Sequence, residues 1–212
     1  MEQKMVWILG AAGRIGSQVA RLLSQRGRPL VLVGRSAVEL RHLAVNGRQI
    51  VATTPQEIAV HLQQQRGIVV CNCVGPFTET TTLFVSALGD DCCYLDLSND
   101  IASWRNTVAL APAAATKNQR LVPGAGYGTY AVEALVLFLL GKREPPREVR
   151  VDSIPYINSP GAMGMTVAAT VVDGIPGGGA AFIDGQLKRV QFGSRQRVHK
   201  LPAPWLSSKT AW

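Results

Sequence analysis

Val6-Trp7-Ile8-Leu9-Gly10-Ala11-Ala12-Gly13-Arg14-Ile15-Gly16 reads as a short apolar strand that breaks into glycines and then opens a helix. Ile15, Val19, Leu22 and Leu23 recur at helical spacing and should lie against a sheet, and Gly27 is placed to stop the helix. A turn of this kind cradles a diphosphate. Its first glycine permits the tight turn, the second lets backbone approach the pyrophosphate, and the third lets helix pack on strand with its N-terminal amides toward the anion. The candidate contacts are Gly10, Ala12, Gly13, Arg14, Ile15 and Gly16. The spacing G-x-x-G-x-x-G departs from G-x-G-x-x-G, so an ordinary glycine-rich turn between strand and helix stays open as the alternative.

Downstream, Arg28-Pro29-Leu30-Val31-Leu32-Val33-Gly34-Arg35-Ser36 contains an apolar run suited to a strand buried on both faces of a parallel sheet. A site for NAD places a carboxylate near the end of this second strand to bind the ribose hydroxyls; here Gly34, Arg35 and Ser36 stand there instead. The planar fork of Arg35 suits a 2′-phosphate, with the Ser36 hydroxyl adding a hydrogen bond. NADP is therefore expected over NAD. Ser36-x-x-Glu39 also forms a capping box, so Ser36 can serve as a cap and Arg35 as a solvated cation.

The rest of the chain alternates strand and helix signals. Gln49 to Ala52 is a third strand, and Thr54, Pro55 and Glu57 announce a helix as cap, first-turn proline and capping-box acid. Ile68 to Val74 is a fourth strand ending at Gly75-Pro76-Phe77, and a helix over about 80–88 leads to a fifth at 93–97. A helix around 104–117 then leads to a sixth strand at 121–123. Such a βαβ series implies a doubly wound parallel sheet that binds ligands outside the carboxyl ends of its strands. Ala131 to Leu140 reads as a buried helix, far shorter than the ~20 residues a membrane span requires. A polar, proline-broken link at 142–147 introduces a second region with an alternating strand at 149–154 and a helix at 163–172. Gly177-Gly178-Gly179 is expected to be a flexible loop, and 182–187 a hairpin turning at Asp184-Gly185. The basic stretch from Gly193 reads as a tail.

The 212 residues, 47% of them apolar, suit one ordinary domain and part of a second. The formal net charge of +8 comes from scattered arginines rather than one basic block, which fits small anionic ligands better than duplex nucleic acid. The N-terminus runs straight into the first strand, so no export signal is expected. Cys71, Cys73, Cys92 and Cys93 match no zinc spacing and fall in interior strands, which implies structural thiols, no metal, and a reduced, cytoplasmic setting. His42, His61 and His199 fall on helices or the tail and are expected at the surface.

Gly10-Ala11-Ala12-Gly13, Val33-Gly34-Arg35, Asn72-Cys73-Val74-Gly75-Pro76-Phe77, Tyr94-Leu95-Asp96-Leu97-Ser98 and Pro123-Gly124-Ala125-Gly126-Tyr127 together resemble the saccharopine dehydrogenase-like family, including its trans-acting enoyl reductase branch. The resemblance covers roughly residues 5–130, with a fainter echo at Ser159-Pro160-Gly161 and Asp184-Gly185. It implies a Rossmann domain at 1–128 that binds a nicotinamide cofactor, usually NADP, and a mixed α+β domain that closes over the substrate. The second region, 129–212, then reads as a shortened substrate or dimerisation domain with a basic tail. Two departures limit the transfer: Ala125 and Gly128 stand where the family leads one to expect a cysteine and an acid, and its members are typically much longer.

The expected activity is NADP-dependent hydride transfer to a carbonyl, imine or enoyl group of a small-molecule or acyl substrate. Asn72, Val74, Gly75, Pro76 and Phe77 should wall the nicotinamide and its ribose, although Gly75-Pro76 also reads as a plain turn. Ser98 closes the fifth strand as a further cofactor contact. Asp96 is expected either to hold an amide or hydroxyl in the active site or to cap the following helix. Tyr127 is the candidate proton donor, since a phenol near a cationic cofactor is acidified, with simple packing as its alternative. Missing a Tyr-x-x-x-Lys pair, the chain also fits a non-catalytic NADP-binding regulator or truncated relic, or a subunit that completes its pocket as a homodimer.

Overall fold

The computed structural model describes residues 3–63, 65–144, 146, 149, 151 and 179–191, with Tyr127 and Phe182 described in backbone only. The elements in chain order are β1 (Val6–Leu9), α1 (Arg14–Gln25), β2 (Leu30–Gly34), α2 (Ala37–His42), β3 (Arg48–Val51), α3 (Pro55–Leu62), β4 (Val69–Asn72) and α4 (Phe77–Ala87). They continue as β5 (Cys93–Asp96), α5 (Ile101–Thr116), β6 (Arg120–Val122), a π-helical turn (Tyr127–Ala131), α6 (Val132–Leu140), β7 (Gly179–Ile183) and β8 (Gln186–Val190). The first six strands make one parallel sheet in the order β3-β2-β1-β4-β5-β6. Winding outward from β1 in both directions, this is the doubly wound Rossmann architecture, and its order reverses between β1 and β4.

The central strands explain the sheet. Every residue of β1 and β2 is buried, as continuous apolar strands covered on both faces should be. Alternation sends Trp7 and Leu9 to one face, with Val31, Val33, Ile58, Phe84 and Tyr94, and Val6 and Ile8 to the other, with Leu32, Ala20 and Leu40. The caps form where the residue types predict: Thr54 Oγ1 accepts from the Glu57 N–H at 3.2 Å, and Glu57 reaches back to the Thr53 N–H at 2.7 Å. Asp100 caps α5 through the Ser103 N–H at 2.7 Å, so Asp96 is not the cap of that helix.

Two packing expectations are corrected. On α1, Gly16 and Ala20 form the buried contact with Val19 and Leu23 beside them, whereas Ile15 and Leu22 are exposed. The smallest residues face the sheet because they let helix and strand backbones approach, and that close approach rotates the larger neighbours outward. On α6 no residue is buried, and Phe138 is 83% exposed. Its sequence is apolar almost all round, the pattern of a helix buried on every side, so its exposure leaves an apolar surface without a covering partner among the described residues. Leu135, Val136 and Leu139 help line an open groove of about 570 Å³, together with Pro146, Val149 and Val151.

Contacts along the chain divide it into two compact units, 1–156 and 157–212. In the second, β7 and β8 pair antiparallel about Asp184-Gly185, both at positive φ, as a two-residue hairpin turn requires. Val149 and Val151 are not in a strand. The rest of the expected strand at 149–154, the helix at 163–172, Gly177, Gly178 and the tail from 193 lie outside the described residues, as does His199. His42 and His61 are exposed on α2 and α3. Among the described residues no helix is long and apolar enough to cross a membrane, and no cluster of His, Cys, Asp and Glu could hold a metal.

Candidate nucleotide site

The parallel register brings the ends of β1, β2, β4, β5 and β6 to one edge of the sheet. Leu9 lies beside Val33 and Asn72, and Asn72 beside Asp96. Loops at this edge are stitched across strands: the Ala11 N–H donates to Val33 O at 2.8 Å, and the Cys73 N–H to Leu9 O at 3.0 Å. Gly10 has φ +75°, and a Cβ there would stand 3.1 Å from Val74 Cγ2 and 3.2 Å from Cys73 O, so the glycine turn packs directly on the chain leaving β4. A Cβ on Gly16 would run into the Gly10 carbonyl oxygen, which accounts for glycine at the helix-to-strand crossing.

Gly13 is the N-cap of α1, with no side-chain cap and no acid in the first turn. Gly13, Arg14 and Ile15 are exposed and Ala12 half-buried, so this helix start and its positive dipole end face outward at the strand edge. At the end of β2, Gly34 is buried and Arg35 exposed. The Ser36 hydroxyl accepts from the Glu39 N–H at 3.3 Å, which makes it the cap of α2 and leaves its own proton free to donate elsewhere.

Beyond β4, a cis Gly75-Pro76 peptide leads into α4, with Gly75 and Pro76 exposed and Val74 and Phe77 half-buried. Asn72 is buried beneath this loop: its Oδ1 accepts from the Val74 N–H at 2.9 Å, and its Nδ2 donates to Thr80 Oγ1 at 3.1 Å and Tyr94 Oη at 2.9 Å. Thr80 donates in turn to Val74 O at 2.8 Å. Asp96 is buried at the end of β5. Its Oδ1 accepts from Ser98 N (3.0 Å), Ser98 Oγ (2.6 Å) and Gly124 N (3.0 Å), and its Oδ2 from Thr81 Oγ1 (3.1 Å). The Ala125 N–H donates to the Asp96 carbonyl at 2.7 Å, so one residue fixes the chain leaving β6 through both side chain and backbone. Tyr127 opens the π-helical turn that follows.

Electrostatics separate the thiols and phenol from acid-base work. Burial, reinforced by the neighbouring Cys93, pushes Cys71 up to about 11. Burial and Cys71 push Cys73 to about 12, so the thiol beside the Val74 loop stays protonated and is no nucleophile at neutral pH. Burial, then the Asp96 charge, raises Tyr94 far above the ordinary phenol range, which keeps it a hydrogen-bond donor.

The edge therefore gathers Gly10 to Gly16, Gly34 to Ser36, Asn72 to Phe77, and Asp96 and Ser98. Sequence reading missed Thr80, Thr81 and Tyr94. The available signal was a phenol inside an apolar strand, which must find a polar partner when buried, and hydroxyls in the first turns of the helix behind it.

No family model and no curated protein matches the chain. Solved structures similar in chain path include a metagenomic short-chain oxidoreductase in complex with NADP, at 13% identity and TM-score 0.45 over 65% of this chain and 91% of that one. A short-chain dehydrogenase/reductase from Vibrio parahaemolyticus matches at 14% identity and TM-score 0.42 over 92% of this chain and 100% of that one. A Rossmann-fold NAD(P)-binding family protein from Shigella flexneri matches at 14% identity and TM-score 0.39 over 57% of this chain and 67% of that one. At these identities the fold assignment rests on the strand order, and none of these likenesses bears on the narrower saccharopine dehydrogenase-like resemblance.

Proposed function

We propose that the chain is an NADP-dependent oxidoreductase that transfers hydride to a carbonyl, imine or enoyl group, of the saccharopine dehydrogenase-like type. One observation carries the reading: the glycine turn, the acid-free end of β2 with exposed Arg35, and the loop 74–77 converge on one edge of a sheet whose order reverses there. The residues fit the dinucleotide. Gly10, Ala12, Gly13, Arg14, Ile15 and Gly16 would hold the pyrophosphate, and Arg35 and Ser36 the 2′-phosphate. Val74, Gly75, Pro76 and Phe77 would flank the nicotinamide half. When bound, the cofactor supplies the hydride.

The chain's own work is to orient the ring, exclude water and deliver a proton, which the sequence assigns to Tyr127. Asp96, engaged with Ser98 and with Gly124, supports this role by holding the start of the β6-to-π-turn segment rather than by touching substrate. The lack of a Tyr-x-x-x-Lys pair favours a second reading, nucleotide binding without turnover.

Titration of the chain with NADPH and NADH tests the cofactor. NADPH should bind more tightly, and Arg35→Ala should weaken it by about ten- to a hundredfold while leaving NADH unchanged, as loss of a charge-assisted phosphate contact predicts. An Arg35→Ala protein with undiminished preference for NADPH refutes the assignment. NADPH consumption across ketones, imines and enoyl thioesters separates the two readings: tight binding with no turnover on any of them selects the second.

A further inference from the structure

We infer that Asn72, Tyr94, Thr81 and Asp96 form one directed, buried hydrogen-bond chain that sets the loops 74–77 and 124–126 in register beneath the nicotinamide half of the dinucleotide, making them positioning residues. The inference rests on the nucleotide reading above and assigns these side chains a task within it.

Its geometry is continuous across two strands and a helix. Asn72 Nδ2 donates to Tyr94 Oη at 2.9 Å, Tyr94 Oη to Thr81 Oγ1 at 3.0 Å, and Thr81 Oγ1 to Asp96 Oδ2 at 3.1 Å. The two ends fix the direction. Asn72 Oδ1 accepts from the Val74 N–H, which orients the amide so that its NH2 group faces Tyr94 and can only donate. At the other end the Asp96 carboxylate accepts, so both hydroxyl protons between must point toward it. Each bond then polarises the next in a site that water does not reach. All four side chains are buried, and no buried side-chain polar atom among the described residues lacks a partner.

The two ends of the chain are the functional point. At one end Asn72 and Thr80 grip the backbone of Val74. At the other Asp96 grips Gly124 and Ala125. These are the loops that leave β4 and β6, both in the half-sheet β4-β5-β6. In a doubly wound fold each half-sheet serves one mononucleotide, and the glycine turn with Arg35 places the adenosine half over β1-β2. The chain therefore acts on nicotinamide placement and not on adenosine binding, and this gives it a separable signature.

The test compares NADPH with 2′,5′-ADP, which carries the adenosine half alone, on the full-length chain. Tyr94→Phe removes the central hydroxyl and keeps the ring. The hydroxyl's two bonds, to Asn72 and Thr81, are both lost, and NADPH affinity should fall by about tenfold or more, with 2′,5′-ADP affinity unchanged. Equal loss of both ligands, or loss of neither, overturns the inference. Should Tyr94→Phe fail to fold, Thr81→Val and Thr81→Ser decide it: the valine should reproduce the selective loss and the serine, which keeps the donor, should restore NADPH binding. A serine as weak as the valine, or a valine as tight as wild type, also overturns it. Wild-type protein that binds 2′,5′-ADP and NADPH equally well defeats the inference alone, whereas wild-type protein that binds neither defeats the nucleotide reading itself.

Discussion

At Gly16 the absence of a side chain does more than any side chain could. A methyl there would meet the Gly10 carbonyl oxygen, and because that atom belongs to the backbone of the glycine turn, relief requires moving the turn itself. Alanine ordinarily stabilises a helix interior by about 0.5–1 kcal/mol over glycine, but overpacking against fixed backbone costs about 1–3 kcal/mol, so the clash wins. Gly16→Ala should lower stability in urea denaturation and weaken NADPH in the same protein. Gly128, where a Cβ meets nothing within 4 Å, supplies the control: Gly128→Ala should change stability by no more than about 0.5 kcal/mol. Retained NADPH affinity in Gly16→Ala would show that the turn tolerates displacement and is no close phosphate cradle. Asp96 teaches a different lesson at this scale. Its position at a strand end marks it as a candidate for chemistry, yet its oxygens are committed to Thr81, Ser98 and Gly124. Local sequence could not reveal that, since Thr81 and Gly124 come from distant segments.

Among the elements, β4 and the residue that follows it carry a consequence for pH. Burial holds Cys71 at about 11 and Cys73 at about 12, both above the thiol's ordinary 9.0. Folded pKa values raised above the unfolded ones mean that the stability involved is fully present below pH 9 and is lost as pH climbs through 11 to 12, because the unfolded chain sheds its protons first. Unfolding free energy, measured by urea denaturation between pH 8 and 10.5, should begin to fall near pH 9 and steepen toward about 1.4 kcal/mol per pH unit for each thiol. A Cys71→Ala/Cys73→Ala double variant that keeps the wild-type slope would contradict this. The elements also show where periodicity is informative. The alternating and continuous apolar runs of β1, β2 and β4 and the caps Ser36 and Thr54 are all local signals, and each element starts within a few residues of where they place it. For α6 the nearly uniform apolar sequence predicts helix, but burial depends on a partner surface that the helix's own residues do not encode.

The whole molecule tests the central claim through linkage. A ligand that binds only the folded chain raises its stability by about 2.7 kcal/mol at a hundredfold excess over Kd. NADPH should therefore shift the thermal unfolding of the chain, followed by calorimetry, to higher temperature, and NADH should shift it less. A transition unmoved by either nucleotide would remove the basis for the proposed activity. Sequence by itself determined the alternation of strands and helices, the glycine turn, the lack of an acid after β2 and hence the expected cofactor, since each is written in residues a few positions apart. Tertiary structure alone decided which face of α1 meets the sheet, that α6 lies open, and that Asn72, Tyr94, Thr81 and Asp96 join into one buried chain. Those outcomes depend on contacts between residues far apart in the chain, where small side chains permit close approach and buried polar groups must find partners wherever the fold brings them.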